Sequence, residues 1–169
     1  RYSFEAIPDT FITSICDDNS DHVWIGMKSH GVAEDVNNNW IVHEGRGTII
    51  NNDVRAIAAS PLGEIWIGFG KKPASGTGLT SYNNGTWQNV YALPPSCQTN
   101  AIFIDQNNVK WVGTDQGFVH FTTSADAVTF NYDNTGLNIN DVTGVAQDAR
   151  GNIWISTYGG GLIEYKGNH

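Results

Sequence analysis

The chain has 169 residues with 17 acidic and 9 basic side chains, a formal net charge of −8, 19 glycines and six tryptophans. A field of that sign repels phosphate backbones and anionic headgroups, which argues against a nucleic-acid partner, and no run approaches the roughly 18 apolar residues of a membrane-spanning helix. Two cysteines, Cys16 and Cys97, make no disulfide framework, and the length suffices for one domain that buries about two thirds of its unfolded surface.

Residues 2–6 alternate in polarity and read as a strand ahead of the first full unit. Unit one follows with a strand at 12–16, a turn through Asp17-Asp18-Asn19-Ser20-Asp21 and a second strand through Val23-Trp24-Ile25-Gly26. Its third strand starts after Gly31 and its fourth is centred on Trp40. Unit two repeats the order with 54–58, Ser60, Ile65-Trp66-Ile67-Gly68, a third strand after Gly78, the turn Asn83-Asn84-Gly85 and a fourth strand around Trp87. Unit three has 99–103, Asp105, Lys110-Trp111-Val112-Gly113, a third strand after Gly117 and a fourth around Phe130. Unit four has 142–146, Asp148, Ile153-Trp154-Ile155-Ser156 and a third strand after Gly161, with no fourth strand behind it. Asp, Asn and Gly punctuate the units because their side chains cap local amides or they accept positive φ.

The four tryptophans stand 42, 45 and 43 residues apart, a period that belongs to solenoids, propellers and arrays. The fourth strand missing from the last unit is supplied in number by residues 2–6, so the expected fold is all-β: a β-propeller of four four-stranded blades whose N-terminal strand completes the last blade. Blade 1 then covers residues 11–45, blade 2 53–92, blade 3 98–133, and blade 4 141–169 together with 1–7. Half of an eight-bladed ring shared by two chains, or a fragment of a larger propeller, satisfies the same pattern. The small residues Ser14, Ala56, Ala101 and Gly144 of the first strands suit the crowded axis, and Cys16 reads as a small core residue there. Trp24, Trp66, Trp111 and Trp154 read as structural, filling the wedges between blades.

The run from Val142 through Asp148, Gly151-Asn152-Ile153-Trp154-Ile155-Ser156-Thr157 and Gly159-Gly160-Gly161-Leu162 resembles the two-component regulator propeller repeat. All four units are similar to it, with departures at Met27 and Lys28, at Ser60, and at Asp115-Gln116-Gly117. The resemblance implies a bacterial periplasmic or extracellular sensor region that responds to carbohydrate fragments, and a ring of more than four blades.

Propeller ligands sit over one mouth of the ring, on the loops from second to third strands and from fourth strands to the next blade. Unit two lengthens the first of these loops by about five residues, over 70–78, and places Lys71 and Lys72 in it. With His30, Arg46, Asp115, Gln116 and Tyr158 these form the candidate ligand set: amides and charges read hydroxyls, and Tyr158 offers an aromatic face to a pyranose. The order strand, Gly-x-x-x-x-Gly-Lys-Ser/Thr, helix of a phosphate loop is absent. Asp17 to Asp21 imitates a calcium loop but has His22 and Lys28 where that loop needs Gly and an acid, and the five histidines lack metal-ligand spacing. No cofactor, metal or catalytic set is therefore expected. The functional expectation is a non-enzymatic module that binds a small molecule or oligosaccharide. The competing readings are a protein-assembly module, including a homodimer formed by blade sharing, and a lyase or hydrolase on a propeller scaffold.

Overall fold

The structure, a computed structural model, describes residue 7 and residues 9–45, 49–70 and 78–166. They form four antiparallel sheets with strands in chain order, so the all-β propeller reading holds. Blade 1 comprises β1 (Ile12–Asp17), β2 (Val23–Met27), β3 (Val32–Val36) and β4 (Asn39–His43). Blade 2 comprises β5 (Val54–Ala59), β6 (Ile65–Phe69), β7 (Leu79–Asn83) and β8 (Thr86–Asn89). Blade 3 comprises β9 (Thr99–Ile104), β10 (Lys110–Thr114), β11 (Gly117–Phe121) and β12 (Val128–Phe130). Blade 4 has three strands among the described residues, β13 (Val142–Gln147), β14 (Ile153–Thr157) and β15 (Gly161–Tyr165). The strand expected at 2–6 lies outside the described residues.

Local chemistry explains the hairpins. The β3–β4 and β7–β8 turns place Asn37, Asn38, Asn84 and Gly85 at positive φ, the geometry that keeps two-residue hairpins in register with strand twist. At each β-hairpin between first and second strands, a residue six before the tryptophan caps the turn. Asp105 Oδ1 accepts from the amides of Asn107 (2.9 Å) and Val109 (3.0 Å), and Asp148 Oδ1 accepts from Arg150 and Asn152 (both 2.9 Å). The other carboxylate oxygen of each takes the indole N–H of Trp111 (3.0 Å) or Trp154 (3.1 Å). Ser60 caps its turn through Oγ but cannot also reach the indole, and Glu64 accepts from Trp66 Nε1 instead at 3.3 Å.

Each blade turns one face to its successor. The face carrying the tryptophan packs on the aliphatic face of the next blade: Trp24 with Val54, Ile57, Ile65 and Ile67, Trp66 with Val112 and Val119, Trp111 with Val142, Ile153 and Ile155. The inner strands therefore follow each other as β1, β5, β9 and β13, and among the described residues no such packing joins β13 back to β1. The four blades form an arc. Glycine two residues past the tryptophan sets the spacing, because a Cβ on Gly68 would lie 2.3 Å from Thr99 Cγ2 and one on Gly113 2.3 Å from Val142 Cγ1. Lys110 occupies the aliphatic face of blade 3. Its ammonium lies 4.8 Å from the centre of the Trp66 ring and donates to the Thr122 carbonyl at 3.2 Å, while burial pushes its pKa down.

Cys16 is half-buried and Cys97 buried, and they form no disulfide. Burial, with Asp17 and Asp18 beside it, pushes the Cys16 thiol up to about 12, so it stays protonated as the core reading requires.

Candidate functional site

Four β-bulges build one mouth of the arc. Each inner strand slips register at its second residue, Thr13, Arg55, Asn100 or Thr143, just where it leaves the connection from the preceding blade. A bulge re-aims its side chain out of the pleat, so four equivalent backbones present four different groups.

A second repeated device anchors the facing loops. The amide four residues past each tryptophan donates to the carbonyl thirteen before it: Lys28 to Phe11 (3.0 Å), Gly70 to Asp53 (2.8 Å), Asp115 to Gln98 (3.1 Å) and Tyr158 to Asp141 (2.9 Å). Asp115 and Tyr158, both expected in the ligand set, thus stand at one and the same position of the repeat. Tyr158 projects into solvent with 78% of its surface exposed, while the Asp115 carboxylate accepts from the Gln98 amide at 2.7 Å. Gln116 reaches the Pro95 carbonyl at 3.4 Å. Arg46, Lys71 and Lys72, with residues 71–77 of the lengthened loop, lie outside the described residues.

The remaining expected residue, His30, faces Asp9, with Nδ1 3.3 Å from Oδ2. The Asp9 carboxylate also accepts the amides of Phe11 (2.9 Å) and Ser29 (2.8 Å), and these bonds, the Phe11 amide foremost, hold its pKa below the usual range. Asp53 lies where blades 1 and 2 meet. It takes Lys28 Nζ at 2.9 Å from blade 1 and Arg55 Nε and Nη2 at 2.9 and 3.1 Å from the β5 strand that follows it. Burial acts to raise the Asp53 carboxyl, but the two cations outweigh it and the pKa falls. Asn100 makes the corresponding link between blades 3 and 4, donating to Val142 O at 2.9 Å and Asp141 Oδ1 at 3.3 Å. The sequence reading missed Asp9, Asp53, Arg55, Asn100 and Asp141. The signal was present, since these polar residues recur 11 to 15 positions before the tryptophans, at or just ahead of the start of each inner strand.

A cavity of about 590 Å³ opens beside this seam, lined by Glu44, Gly45, Ile50, Asn51 and Asn52. Asn51 donates to the Gly70 carbonyl at 3.1 Å and Asn52 accepts from the Gly45 amide at 2.7 Å, so the amides lining it are held in place. A second cleft of about 590 Å³ lies at the other ends of the inner strands, among Cys16, Ala58, Ser60, Phe103 and Gln106. Two histidines that look dispersed in sequence also converge on Glu34. His22 Nδ1 lies 3.2 Å from Asp18 Oδ2 and 3.6 Å from Glu34 Oε1, and His43 Nε2 lies 3.5 Å from Glu34 Oε2.

The model of the two component regulator propeller family matches residues 6–29 and 136–159, which hold the first inner strand with its Trp24 hairpin and the corresponding part of blade 4. These two segments match the two-component regulator propeller repeat. No curated protein matches the chain significantly. Among solved structures, this propeller-repeat chain is similar to the extracellular domain of a hybrid two component system from B. thetaiotaomicron, with 23% identity and a TM-score of 0.82 over 97% of the chain. A second extracellular domain of a hybrid two component system from that organism matches 99% of the chain with 15% identity and a TM-score of 0.54. Virginiamycin B lyase from Staphylococcus aureus matches 98% with 14% identity and a TM-score of 0.66. The chain spans 22%, 29% and 58% of the lengths of these three proteins. Identities this low establish a common fold.

Proposed function

We propose that this propeller-repeat chain is a non-enzymatic ligand-recognition module that takes carbohydrate at the mouth built by the four bulges, in the extracytoplasmic sensor of a bacterial two-component regulator or a secreted relative. The observation that carries the reading is the position four residues past the tryptophan. One backbone bond holds it in every blade, yet it presents Lys28, Gly70, Asp115 and Tyr158. A frame held constant while its side chains diverge is how repeat scaffolds make a recognition surface. The groups displayed suit a sugar: exposed Tyr158 for a pyranose face, the Asn51 and Asn52 amides, and His30 with Asp9 for hydroxyls. The match to extracellular sensor domains supports the same reading, whereas the lyase likeness at 14% identity transfers no chemistry.

Isothermal calorimetry of the chain against a panel of neutral and acidic oligosaccharides tests it. Binding is expected to weaken at least tenfold in Tyr158→Ala and in His30→Ala without change in melting temperature. Absence of binding to every glycan in the panel overturns the proposal.

A further inference from the structure

Among the described residues the bulged mouth holds two cations of the lysine and arginine type, Lys28 and Arg55, and both converge on one carboxylate. Lys28 Nζ lies 2.9 Å from Asp53 Oδ1, and Arg55 approaches along one edge, with Nε 2.9 Å from Oδ1 and Nη2 3.1 Å from Oδ2. One acid thus faces two positive charges, and one of them is left uncompensated. Donors are left over as well, because the second fork of the guanidinium, Nη1 with the outer N–H of Nη2, has no acceptor among the described residues. The backbone reserves this place. Arg55 is the bulged residue of β5, aimed out of the pleat where the other inner strands carry Thr13, Asn100 and Thr143. Gly70 stands at the repeat position that elsewhere bears Lys28, Asp115 and Tyr158, and a Cβ there would overlap Asp53 Oδ2 and lie 3.2 Å from Arg55 Nε. The Lys28 and Arg55 side chains are 41% and 34% exposed against 27% for Asp53, so the cations are the open part of the cluster.

We infer that Lys28 and Arg55 form a carboxylate subsite, and that the carbohydrate taken at this mouth is an oligosaccharide containing uronic acid; this rests on the proposed recognition of carbohydrate. The free fork of Arg55 matches both oxygens of a planar carboxylate, and Lys28 adds a point charge beside it. Asp53 is the positioning residue. It draws together two cations from different blades, and holding them in place before the ligand arrives lowers the cost of ordering them. The chain's net charge of −8 does not oppose an anion here, because exposed charges farther than about 8 Å away are screened at physiological salt. Other acids of the mouth are engaged elsewhere: Asp9 faces His30, Asp115 takes the Gln98 amide and Asp141 takes the Asn100 side chain. Asn51 ties the cluster to the seam cavity, donating to the Gly70 carbonyl and accepting the Asp53 amide, both at 3.1 Å. Amides suited to hydroxyls therefore adjoin cations suited to a carboxylate. Glu44 lines the same cavity and repels an acid placed beside it, which confines the carboxylate to the Lys28 and Arg55 side.

The test is calorimetry of the full chain with oligogalacturonate, oligomannuronate and unsulfated hyaluronan oligosaccharides, each against its methyl ester, and with carrageenan oligosaccharides, which carry sulfate and no uronate. At least one free acid is expected to bind about tenfold or more tightly than its ester, with the preference shrinking as salt rises. Arg55→Gln and, separately, Lys28→Gln should bring that acid down to the affinity of its ester, and Arg55→Lys, which keeps the charge and loses the fork, should retain part of the preference. Tyr158→Ala should weaken acid and ester alike and leave their ratio standing. Circular dichroism establishes that each variant is folded. A wild type that binds no acid more tightly than its ester, or a preference that survives in both folded Gln variants, overturns the inference and leaves the carbohydrate proposal intact. Carrageenan bound more tightly than every uronate assigns the cations to sulfate and overturns the carboxylate. Absence of binding to these and to every neutral glycan overturns the carbohydrate proposal, and this inference with it.

Discussion

Trp154 donates its indole N–H to Asp148 Oδ2 at 3.1 Å, and this one bond joins the cap of a hairpin turn to the side chain that marks the repeat. The indole bond, with the Asn152 side chain and the Arg150 and Asn152 amides, holds the Asp148 carboxyl down to about 2. A depressed carboxylate contributes stability that is complete above its unfolded pKa, near 4, and is lost as pH falls through its folded value near 2. Acid unfolding of the wild type is expected to steepen between about pH 4 and 2, and Asp148→Asn to flatten that part of the curve. Circular dichroism melts across this range measure it.

The same cap is buried in blade 3, where Asp105 serves two amides and Trp111. Asp105→Ala leaves those three donors unpaired, and an expected loss of about 2–3 kcal/mol should appear as a lower urea midpoint. Ser60→Asp in blade 2 should cost far less, since Glu64 already serves the Trp66 indole.

Gly113→Ala places a methyl 2.3 Å from Val142 Cγ1 and 3.5 Å from Ala101 Cβ, with a β-strand behind each. Two packed inner strands yield little, so a destabilisation of about 1–3 kcal/mol is expected. Adding Val142→Ala should recover part of it, which a double-mutant cycle in urea would reveal.

Lys110 pays a desolvation cost to sit on Trp66 between blades 2 and 3. Lys110→Met keeps the length and removes the charge, and its stability is expected to equal or exceed that of wild type. Lys110→Ala, which leaves a cavity against the ring, is expected to lose about 2 kcal/mol.

Tyr158 contributes almost nothing to the fold. Its side chain stands in solvent and only its amide is engaged, so Tyr158→Ala should change stability by less than about 0.5 kcal/mol. Differential scanning calorimetry on the variant used in the binding assay checks this, and it separates a lost ligand contact from a lost fold.

The repeat was legible because its physics is local. An Asp six before Trp154, Gly151 in the turn, and alternating strands around Ile153 to Ile155 follow from hairpin geometry, and such geometry is written in consecutive residues. Half of the candidate site was legible for the same reason, since Asp115 and Tyr158 sit where a repeat alignment places them. The other half was not. Arg55 and Asn100 acquire meaning from bulges that re-aim them, and Asp53 from meeting Lys28 of another blade, contacts between residues 25 or more apart in the chain or dependent on a slipped register.

By itself the sequence determined the unit: four copies of a β-hairpin motif with a tryptophan wedge and an Asp or Ser cap, because strand alternation and turn chemistry act within a few residues. Only the tertiary structure decided what the units do to each other. It stacked β1 on β5, β5 on β9 and β9 on β13, and seated Trp24, Trp66 and Trp111 each against the next blade. Those outcomes depend on the angle at which one blade's face meets the next, which is fixed by side-chain volume across the interface and not by any residue's neighbours in the chain.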